Sequence, residues 1–247
     1  MAGLLACSCY LSAQSTQVIA HRGFWKTNGS AQNSLSAFYK ADSIHCYGSE
    51  FDVLMTKDKK LVVNHDSRFK GVSIKEASVD QCTSLKLSNG ENMPTLRQYL
   101  KLGKKLETKL ILELKPLSTS TDESLAVEKI VSMIKKMNLE KRTEYISFSK
   151  HAVQEFIRLS PQDTPVYYLK GDVDPVELKS WGCAGADYHL SVFKQNPHWF
   201  DLIHRLGMKI NVWTVNDEKD MKWLIEQGAD FITTNEPVLL QKILEEK

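Results

Sequence analysis

Short β-rich runs alternate with longer helical patterns along almost the whole sequence, and this alternation constrains the fold more than any other feature. We predict eight strands, at residues 17–21, 48–55, 109–115, 144–148, 165–169, 186–190, 209–215 and 230–234. Helical patterns lie between them, among others at 34–45, 121–137, 151–159, 175–181, 197–206, 217–227 and 237–244. Because a helix returns the chain after each strand, neighbouring strands are parallel. Eight such units predict an α/β fold, a closed (β/α)8 TIM barrel.

The stretch between the second and third predicted strands interrupts this pattern. Residues 56–66 predict a hairpin that returns beside the second strand, and residues 67–91 predict an inserted loop or small subdomain above the barrel mouth. We therefore expect one barrel domain at 17–247 with a small insertion after the second strand, at about 67–105. An open doubly wound sheet is the alternative fold. It usually has a glycine-rich loop after its first strand, whereas His21-Arg22-Gly23-Phe24 contains one glycine.

The charge balance and the hydropathy exclude several classes of partner. Lysine and arginine total 32 and acidic residues total 30, so the formal net charge is +2, too small for a protein that binds nucleic acid through its phosphates. No apolar run is long enough to predict a transmembrane segment. The charge and the hydropathy leave a small molecule open as the partner, and the sequence does not settle the oligomeric state.

The first 16 residues differ from the rest and predict a leader or signal-like segment. They lack charged side chains, and Leu4-Leu5-Ala6-Cys7 is similar to a bacterial lipoprotein processing box. This predicts an exported protein, periplasmic or associated with the cell envelope; the alternative is a disordered leader on a cytoplasmic protein. The five cysteines (Cys7, Cys9, Cys46, Cys82 and Cys183) are odd in number and lack paired CxxC spacing, so neither a zinc site nor a disulfide framework is indicated.

Two carboxylates share one face of the second predicted strand. Glu50 and Asp52 are two residues apart, while Phe51 and Val53 take the opposite face and are expected to pack on the outer helices. The carboxylates therefore point into the barrel, near its top.

A third carboxylate follows from the same alternation on the next strand. Glu113 and Lys115 share the inner face of 109–115. Three converging carboxylates repel one another in a partly buried site, and a cation relieves that cost. Oxygen ligands favour a hard ion, so Glu50, Asp52 and Glu113 predict a site for one divalent cation, Mg²⁺ or Ca²⁺. An internal ion-pair network with Lys115 and Arg22 is the alternative.

Two histidines are expected at the same mouth. His21 ends the first strand, and His65 follows the short run 61–64 that the hairpin returns beside the second strand. Together they offer a proton acceptor and a proton donor. Arg22 supplies a planar guanidinium suited to phosphate oxygens. Trp213 either forms an apolar wall for a substrate or packs in the barrel core. His189 either lines the pocket or is structural.

These motifs, in this order, resemble those of the glycerophosphodiester phosphodiesterase family. The motifs are His21-Arg22-Gly23, Gln32-Asn33-Ser34, Glu50-Phe51-Asp52, His65-Asp66, Pro94-Thr95-Leu96, Glu113-Leu114-Lys115, Trp213-Thr214-Val215-Asn216 and Thr234-Asn235-Glu236-Pro237. The resemblance implies a (β/α)8 barrel that cleaves deacylated phospholipids to glycerol 3-phosphate and an alcohol, with water or a substrate hydroxyl as the nucleophile.

The resemblance also implies a role for each site residue. Glu50, Asp52 and Glu113 hold the divalent cation, His21 and His65 act as acid and base, and Arg22 and Lys115 bind phosphoryl oxygens. We take His21 as the base and His65 as the acid. One departure is visible: Gln32 stands where the family usually has glutamate, which raises the question of how Arg22 is oriented.

Two other functions remain open from the sequence. One is a phospholipase C-like or D-like barrel acting on intact lipid, which predicts exposed Trp, Phe or Leu side chains at the mouth. The candidates for such a cluster are Phe24, Trp25, Phe69, Phe193 and Trp199. The other is a non-catalytic barrel that binds phosphoesters.

Overall fold

The computed structural model describes residues 16–246, so the predicted leader lies outside the described residues except for Thr16. The strands are β1 Gln17–Ala20, β2 Gly48–Met55, β3 Leu61–Val63, β4 Arg68–Phe69, β5 Val72–Ser73, β6 Lys109–Leu114, β7 Thr143–Ser147, β8 Val166–Tyr168, β9 Gly185–His189, β10 Lys209–Trp213 and β11 Phe231–Thr234. The α-helices are α1 Leu35–Ser43, α2 Val79–Thr83, α3 Leu96–Gly103, α4 Ser120–Lys136, α5 Lys150–Leu159, α6 Pro175–Trp181, α7 Leu190–Gln195, α8 Trp199–Arg205, α9 Glu218–Glu226 and α10 Pro237–Glu245. None of the helices at 16–246 has the length and apolar character needed to cross a bilayer.

Eight parallel strands close into a barrel. The pairing runs β1, β11, β10, β9, β8, β7, β6 and β2, and β2 pairs back with β1. This confirms the predicted (β/α)8 fold and excludes the open doubly wound sheet, because an open sheet leaves two unpaired edges. All eight barrel strands overlap the predicted ones. The helix α7 was not predicted; it begins at Leu190 because the side chain of His189 accepts a hydrogen bond from the Ser191 backbone N–H.

The predicted hairpin after β2 is present. β3 is antiparallel to β2, with Val53 opposite Val63, so the chain returns over the barrel mouth before His65. The inserted segment then forms the small β4–β5 ribbon and α2 around its own apolar cluster, which includes Ile74, Cys82 and Met93. Burying this cluster gives the insertion a fixed position relative to the site.

The insertion is shorter than the predicted range of 67–105. The helix α3 falls within that range, yet its Tyr99 stacks on Phe51 of β2 and on Phe38 of α1, with ring centroids 4.3 and 4.8 Å apart. It therefore belongs to the outer helix layer, and its start is fixed by a reciprocal capping box between Thr95 and Gln98.

Apolar side chains fill two separate regions, as the alternation along β2 and β6 predicts. Leu110, Leu112 and Leu114 pack between the barrel and the helices, whereas Ile111 lies inside the barrel in a small cluster with Ile19, Ile146, Tyr167, Leu169 and Phe231. The inner cluster closes the barrel below the polar mouth. Cys46, Cys82 and Cys183 are buried free thiols that pack in the apolar clusters.

The turn after β1 requires a glycine, which yields a testable prediction. Gly23 has φ +77°, and a Cβ there would lie 2.7 Å from the carbonyl carbon of Ala37 in α1. Gly23→Ala combines a left-handed backbone penalty of about 1–2 kcal/mol with overpacking of about 1–3 kcal/mol. We expect the free energy of unfolding in urea to fall by about 2–5 kcal/mol.

Gly207→Ala is the matched control. Gly207 has φ +70°, and no atom lies within 4 Å of a Cβ built there. For Gly207→Ala we expect the free energy of unfolding to fall only by the backbone penalty of about 1–2 kcal/mol. Equal decreases in the free energy of unfolding for the two variants would show that the close approach of Gly23 to α1 does not contribute to the destabilisation.

Candidate active site

A cavity of about 120 Å³ lies at the carboxyl ends of the barrel strands. Its lining residues are His21, Arg22, Glu50, His65, Glu113, Lys115, Ile146, Phe148, Leu169, Asp187, Trp213, Thr214 and Thr233. Seven of the eight predicted site residues are among them. The eighth, Asp52, is 1% exposed and forms ion pairs with two of the lining residues, Arg22 and Lys115. The fold thus brings the predicted residues together at the end of the barrel where (β/α)8 enzymes place their chemistry.

The three predicted carboxylates form one buried cluster. Asp52 of β2 is the register partner of Glu113 on β6, and Glu50 lies two residues earlier on β2. One carboxylate oxygen from each residue lies within 4.8 Å of the others. Asn33, at φ 61°, fixes Asp52 from the side: its Nδ2 donates to Oδ2 at 2.8 Å, and its Oδ1 accepts from the Asp52 backbone N–H at 3.1 Å.

The nearby cationic side chains balance only part of the negative charge of the three carboxylates. Burial, followed by repulsion from Asp52, raises the pKa of Glu50 well above its ordinary value and that of Glu113 to about 7. Burial is the largest influence on the pKa of Asp52 and raises it, but Lys115, His65, the Asn33 hydrogen bond and Arg22 together hold that pKa below its usual range. Lys115 Nζ lies 3.4 Å from Asp52 Oδ1 and 2.8 Å from Glu113 Oε1.

The residues fit a hard cation better than a closed ion-pair network. The ion pairs of Lys115 and Arg22 go to Asp52 and Glu113. Glu50 Oε2 accepts a hydrogen bond from the Arg22 backbone N–H at 2.8 Å, but Glu50 Oε1 is buried without a hydrogen-bond partner. A buried carboxylate oxygen left without a partner is costly, and a divalent cation among three carboxylates would satisfy it.

Arg22 is held by a tight turn and by the residue that departs from the family pattern. Its φ is 56°, followed by the left-handed Gly23, so the chain reverses direction directly after His21. The guanidinium Nη1 donates to Gln32 Oε1 at 2.6 Å, and Nε lies 3.6 Å from Asp52 Oδ2. The neutral Gln32 amide therefore still orients Arg22, which answers the question raised by the missing glutamate.

The two histidines face the cavity with different partners. His21 is 18% exposed, its Nε2 lies 3.9 Å from Glu50 Oε2, and its Nδ1 is 2.8 Å from Asn235 Oδ1. Burial, followed by the nearby Arg22 charge, lowers the pKa of His21 to about 4. His65 is 37% exposed, and its Nδ1 is 2.8 Å from Asp66 Oδ1. One histidine thus pairs with a neutral amide and the other with a carboxylate.

Apolar side chains form the wall opposite the charged groups. Trp213 lines the cavity and meets Phe148 edge to face, with ring centroids 5.5 Å apart. Its indole Nε1 donates to the backbone carbonyl of Asp187 at 3.0 Å, which fixes the plane of the ring. His189 does not line the cavity; it is exposed and caps α7.

The structure adds residues to which the sequence analysis gave no role. Asp187 lines the cavity, is 1% exposed, and has its pKa raised to about 8 by burial. The sequence contains a signal for its inward position. Ala186 and Tyr188 flank Asp187 and pack outward, as Phe51 does beside Glu50. Asp66 and Asn235 were named within motifs, but their contacts with the histidines depend on the folded chain.

Comparisons with known proteins agree with this geometry. The profile of the glycerophosphoryl diester phosphodiesterase family matches residues 21–239. A glycerophosphodiester phosphodiesterase from Caldanaerobacter subterraneus subsp. tengcongensis is 28% identical, covering 91% of this chain and 96% of that protein. A crystal structure of a glycerophosphodiester phosphodiesterase from Parabacteroides distasonis is 50% identical with a TM-score of 0.92, covering 94% of this chain and 98% of the other.

A second similar structure holds a ligand. It is a phosphodiesterase from Oleispira antarctica in complex with the product sn-glycerol-3-phosphate, 25% identical with a TM-score of 0.79, covering 94% of this chain and 97% of that one. The resemblance carried by the motifs is confirmed by profile, sequence and structure together. The chain belongs to the glycerophosphoryl diester phosphodiesterase family.

Proposed function

We propose that this protein hydrolyses glycerophosphodiesters to glycerol 3-phosphate and an alcohol, using one divalent cation and two histidines. One observation carries the proposal: a single small cavity is lined by two of the three clustered carboxylates, both histidines, two cationic side chains and an apolar wall, and the third carboxylate, Asp52, pairs with both cationic side chains. The product bound to the related Oleispira antarctica phosphodiesterase supports the substrate class.

Arg22 and Lys115 are suited to bind the phosphoryl group. Both cationic groups lie beside the carboxylate cluster at the cavity surface, and a phosphodiester carries one negative charge. Trp213, Phe148 and Leu169 offer a surface for the carbon chain of a glycerol group. Charged groups on one side and apolar groups on the other orient a phosphoglycerol unit in one direction.

Glu50, Asp52 and Glu113 would hold the cation, as the unpartnered Glu50 Oε1 and the raised pKa values of Glu50 and Glu113 indicate. A bound divalent ion supplies Lewis-acid stabilisation of negative charge on phosphoryl oxygens. Asn33 and the Arg22 backbone N–H keep Asp52 and Glu50 in place for it.

The two histidines have different partners and different exposure. Because its pKa is about 4, His21 is neutral at neutral pH and can accept a proton from the nucleophile. His65 Nδ1 lies 2.8 Å from Asp66 Oδ1, a contact that orients the ring in the cavity lining, where it would protonate the leaving alkoxide. This arrangement supports His21 as the base and His65 as the acid.

An intact-lipid substrate is less well supported. Of the aromatic residues that could form an apolar surface at the mouth, Phe193 is buried in the core and Trp199 packs near Tyr188. The exposed large hydrophobic residues within 16–246 are Tyr39, Val176 and Val238, and none of them lines the cavity. Phe24, Trp25 and Phe69 are half-buried, so among residues 16–246 these candidates do not form the large exposed apolar patch that a surface for acyl chains would require.

The experiment is a substrate panel followed by ³¹P nuclear magnetic resonance. Deacylated phospholipids with choline, ethanolamine, serine and inositol groups are compared with the corresponding diacyl lipids, each with Mg²⁺ or with Ca²⁺. We expect glycerol 3-phosphate from the deacylated compounds. A transient cyclic phosphate identifies a substrate hydroxyl as the nucleophile, and its absence favours water. Hydrolysis of diacyl lipids alone, or of no compound, would contradict the proposal.

A further inference from the structure

The side chain of Asn235 joins His21 to Trp25 across the two ends of the chain. Asn235 follows β11, and its Oδ1 lies 2.8 Å from His21 Nδ1 and 3.0 Å from the indole Nε1 of Trp25. His21 and Trp25 stand at the end of β1 and in the turn after it, more than 200 residues earlier in the sequence. The closed pairing of β1 with β11 brings these residues together.

The indole group decides which way the amide faces. An indole N–H can only donate, so the atom of Asn235 that lies between the two rings must be the oxygen. That oxygen can only accept, so His21 Nδ1 must carry a proton in order to form its bond. A neutral His21 therefore has its lone pair on Nε2, the nitrogen on the Glu50 side.

Asn235 is itself held in place by Asn216, in the segment that follows β10. Its backbone N–H donates to Asn216 Oδ1 at 2.8 Å, and the Thr234 hydroxyl donates to the same oxygen at 3.3 Å. Asn216 ends the Trp213-Thr214-Val215-Asn216 motif, and Asn235 lies in the Thr234-Asn235-Glu236-Pro237 motif. These contacts give both motifs a physical role, because they fix the backbone from which the Asn235 amide reaches His21.

We propose that Trp25 and Asn235 act as a tautomer clamp, two positioning residues that hold the His21 proton on Nδ1 and leave Nε2 free to accept a proton. The catalytic benefit rests on the proposed function, since only a base needs a free nitrogen facing the substrate. The tautomer itself does not depend on that function and can be measured without substrate.

The test is the ¹⁵N spectrum of the histidine side chains in the full protein, with and without Mg²⁺. The His21 signals are assigned by their loss in His21→Ala. We expect the His21 Nδ1 of the wild type to have the shift of a protonated ring nitrogen and Nε2 that of an unprotonated one. Asn235→Ala removes the acceptor, so His21 should move towards the Nε2–H tautomer that histidine prefers in water.

Activity supplies the second readout. We expect Asn235→Ala to lower kcat by about 10- to 100-fold with little change in KM, because the clamp orients a catalytic group and does not touch the substrate. Trp25→Phe keeps the ring but removes the N–H that orients the amide. It should give a mixture of tautomers and a smaller loss of kcat, and it tests the clamp if Asn235→Ala does not fold.

Lys26→Ala is the matched control. Lys26 Nζ forms an ion pair with Glu236 at 2.5 Å, which joins the same two segments, and lies over the Trp25 ring at 5.6 Å from its centroid, so Lys26→Ala removes these contacts but keeps the indole N–H and the Asn235 amide. It should leave both the tautomer and kcat unchanged. A wild-type His21 protonated on Nε2, or an unchanged tautomer in both Asn235→Ala and Trp25→Phe, would overturn the clamp. The expected tautomer in a protein that hydrolyses no glycerophosphodiester would uphold the clamp and refute the proposed function.

Discussion

Replacing Glu50 by glutamine is expected to lower the hydrolysis rate by about 10³-fold or more and to abolish tight binding of Mg²⁺ or Ca²⁺. The reason is that Glu50 Oε1 is a buried oxygen whose environment leaves it no other partner. Charge stabilisation by a bound ion contributes several kcal/mol to catalysis, and each 1.36 kcal/mol corresponds to a factor of about ten in rate. Calorimetric titration of each ion and a steady-state assay measure the two effects.

The fold should survive this substitution. Glutamine has nearly the same shape as glutamate, and its oxygen can still accept the hydrogen bond from the Arg22 backbone N–H. Because the pKa of Glu50 is raised well above its ordinary value, the ionised side chain destabilises the metal-free protein at neutral pH. The neutral variant should therefore be at least as stable to urea as the metal-free wild type. Added Mg²⁺ should raise the melting temperature of the wild type only.

Glu144→Gln serves as the control for this prediction. Glu144 is equally buried, but it pairs with Tyr47 and Lys109 outside the carboxylate cluster. The Glu144→Gln variant should bind Mg²⁺ or Ca²⁺ with the affinity of the wild type.

Removing the metal from the wild type with a chelator should lower activity as Glu50→Gln does, and adding Mg²⁺ or Ca²⁺ should restore it. Full activity in excess chelator, after the metal content has been verified, would refute the need for a cation.

Removing either histidine should lower kcat by about 10²- to 10⁴-fold, and the choice of leaving group should separate the two roles. A nitrophenyl diester needs little protonation as its leaving group departs. It should therefore restore much of the lost rate to His65→Ala, the acid variant, and little to His21→Ala, the base variant. Steady-state kinetics on this diester and on a deacylated phospholipid make the comparison.

The control is His198→Ala, because His198 is exposed at the start of α8 and lies outside the cavity. Its kinetics should match those of the wild type on both substrates. Rescue of His21→Ala instead would show that the roles are reversed. If neither variant is rescued, at least one histidine acts by positioning the phosphate or the cation and not as the acid proposed here.

The sequence alone determined the barrel and the shared inward face of the three clustered carboxylates, because both depend on local periodicity. In a strand, side chains alternate between two faces, so Glu50 and Asp52 had to point away from Phe51 and Val53 whatever the rest of the chain did. The structure confirms this: Phe51 packs on Tyr99 in the outer layer, and the carboxylates converge inside. The same alternation was available for Asp187, which was overlooked.

Only the tertiary structure decided which residues distant in the sequence contact the side chains of the candidate site. No local pattern connects Trp25 and His21 to Asn235, because the contact exists only once β11 pairs with β1 and closes the barrel. The position of α3 in the outer layer likewise depends on Tyr99 stacking across two other elements. Periodicity fixes the direction of a side chain within one element, but the partner that it meets is set by how the elements close around the barrel axis.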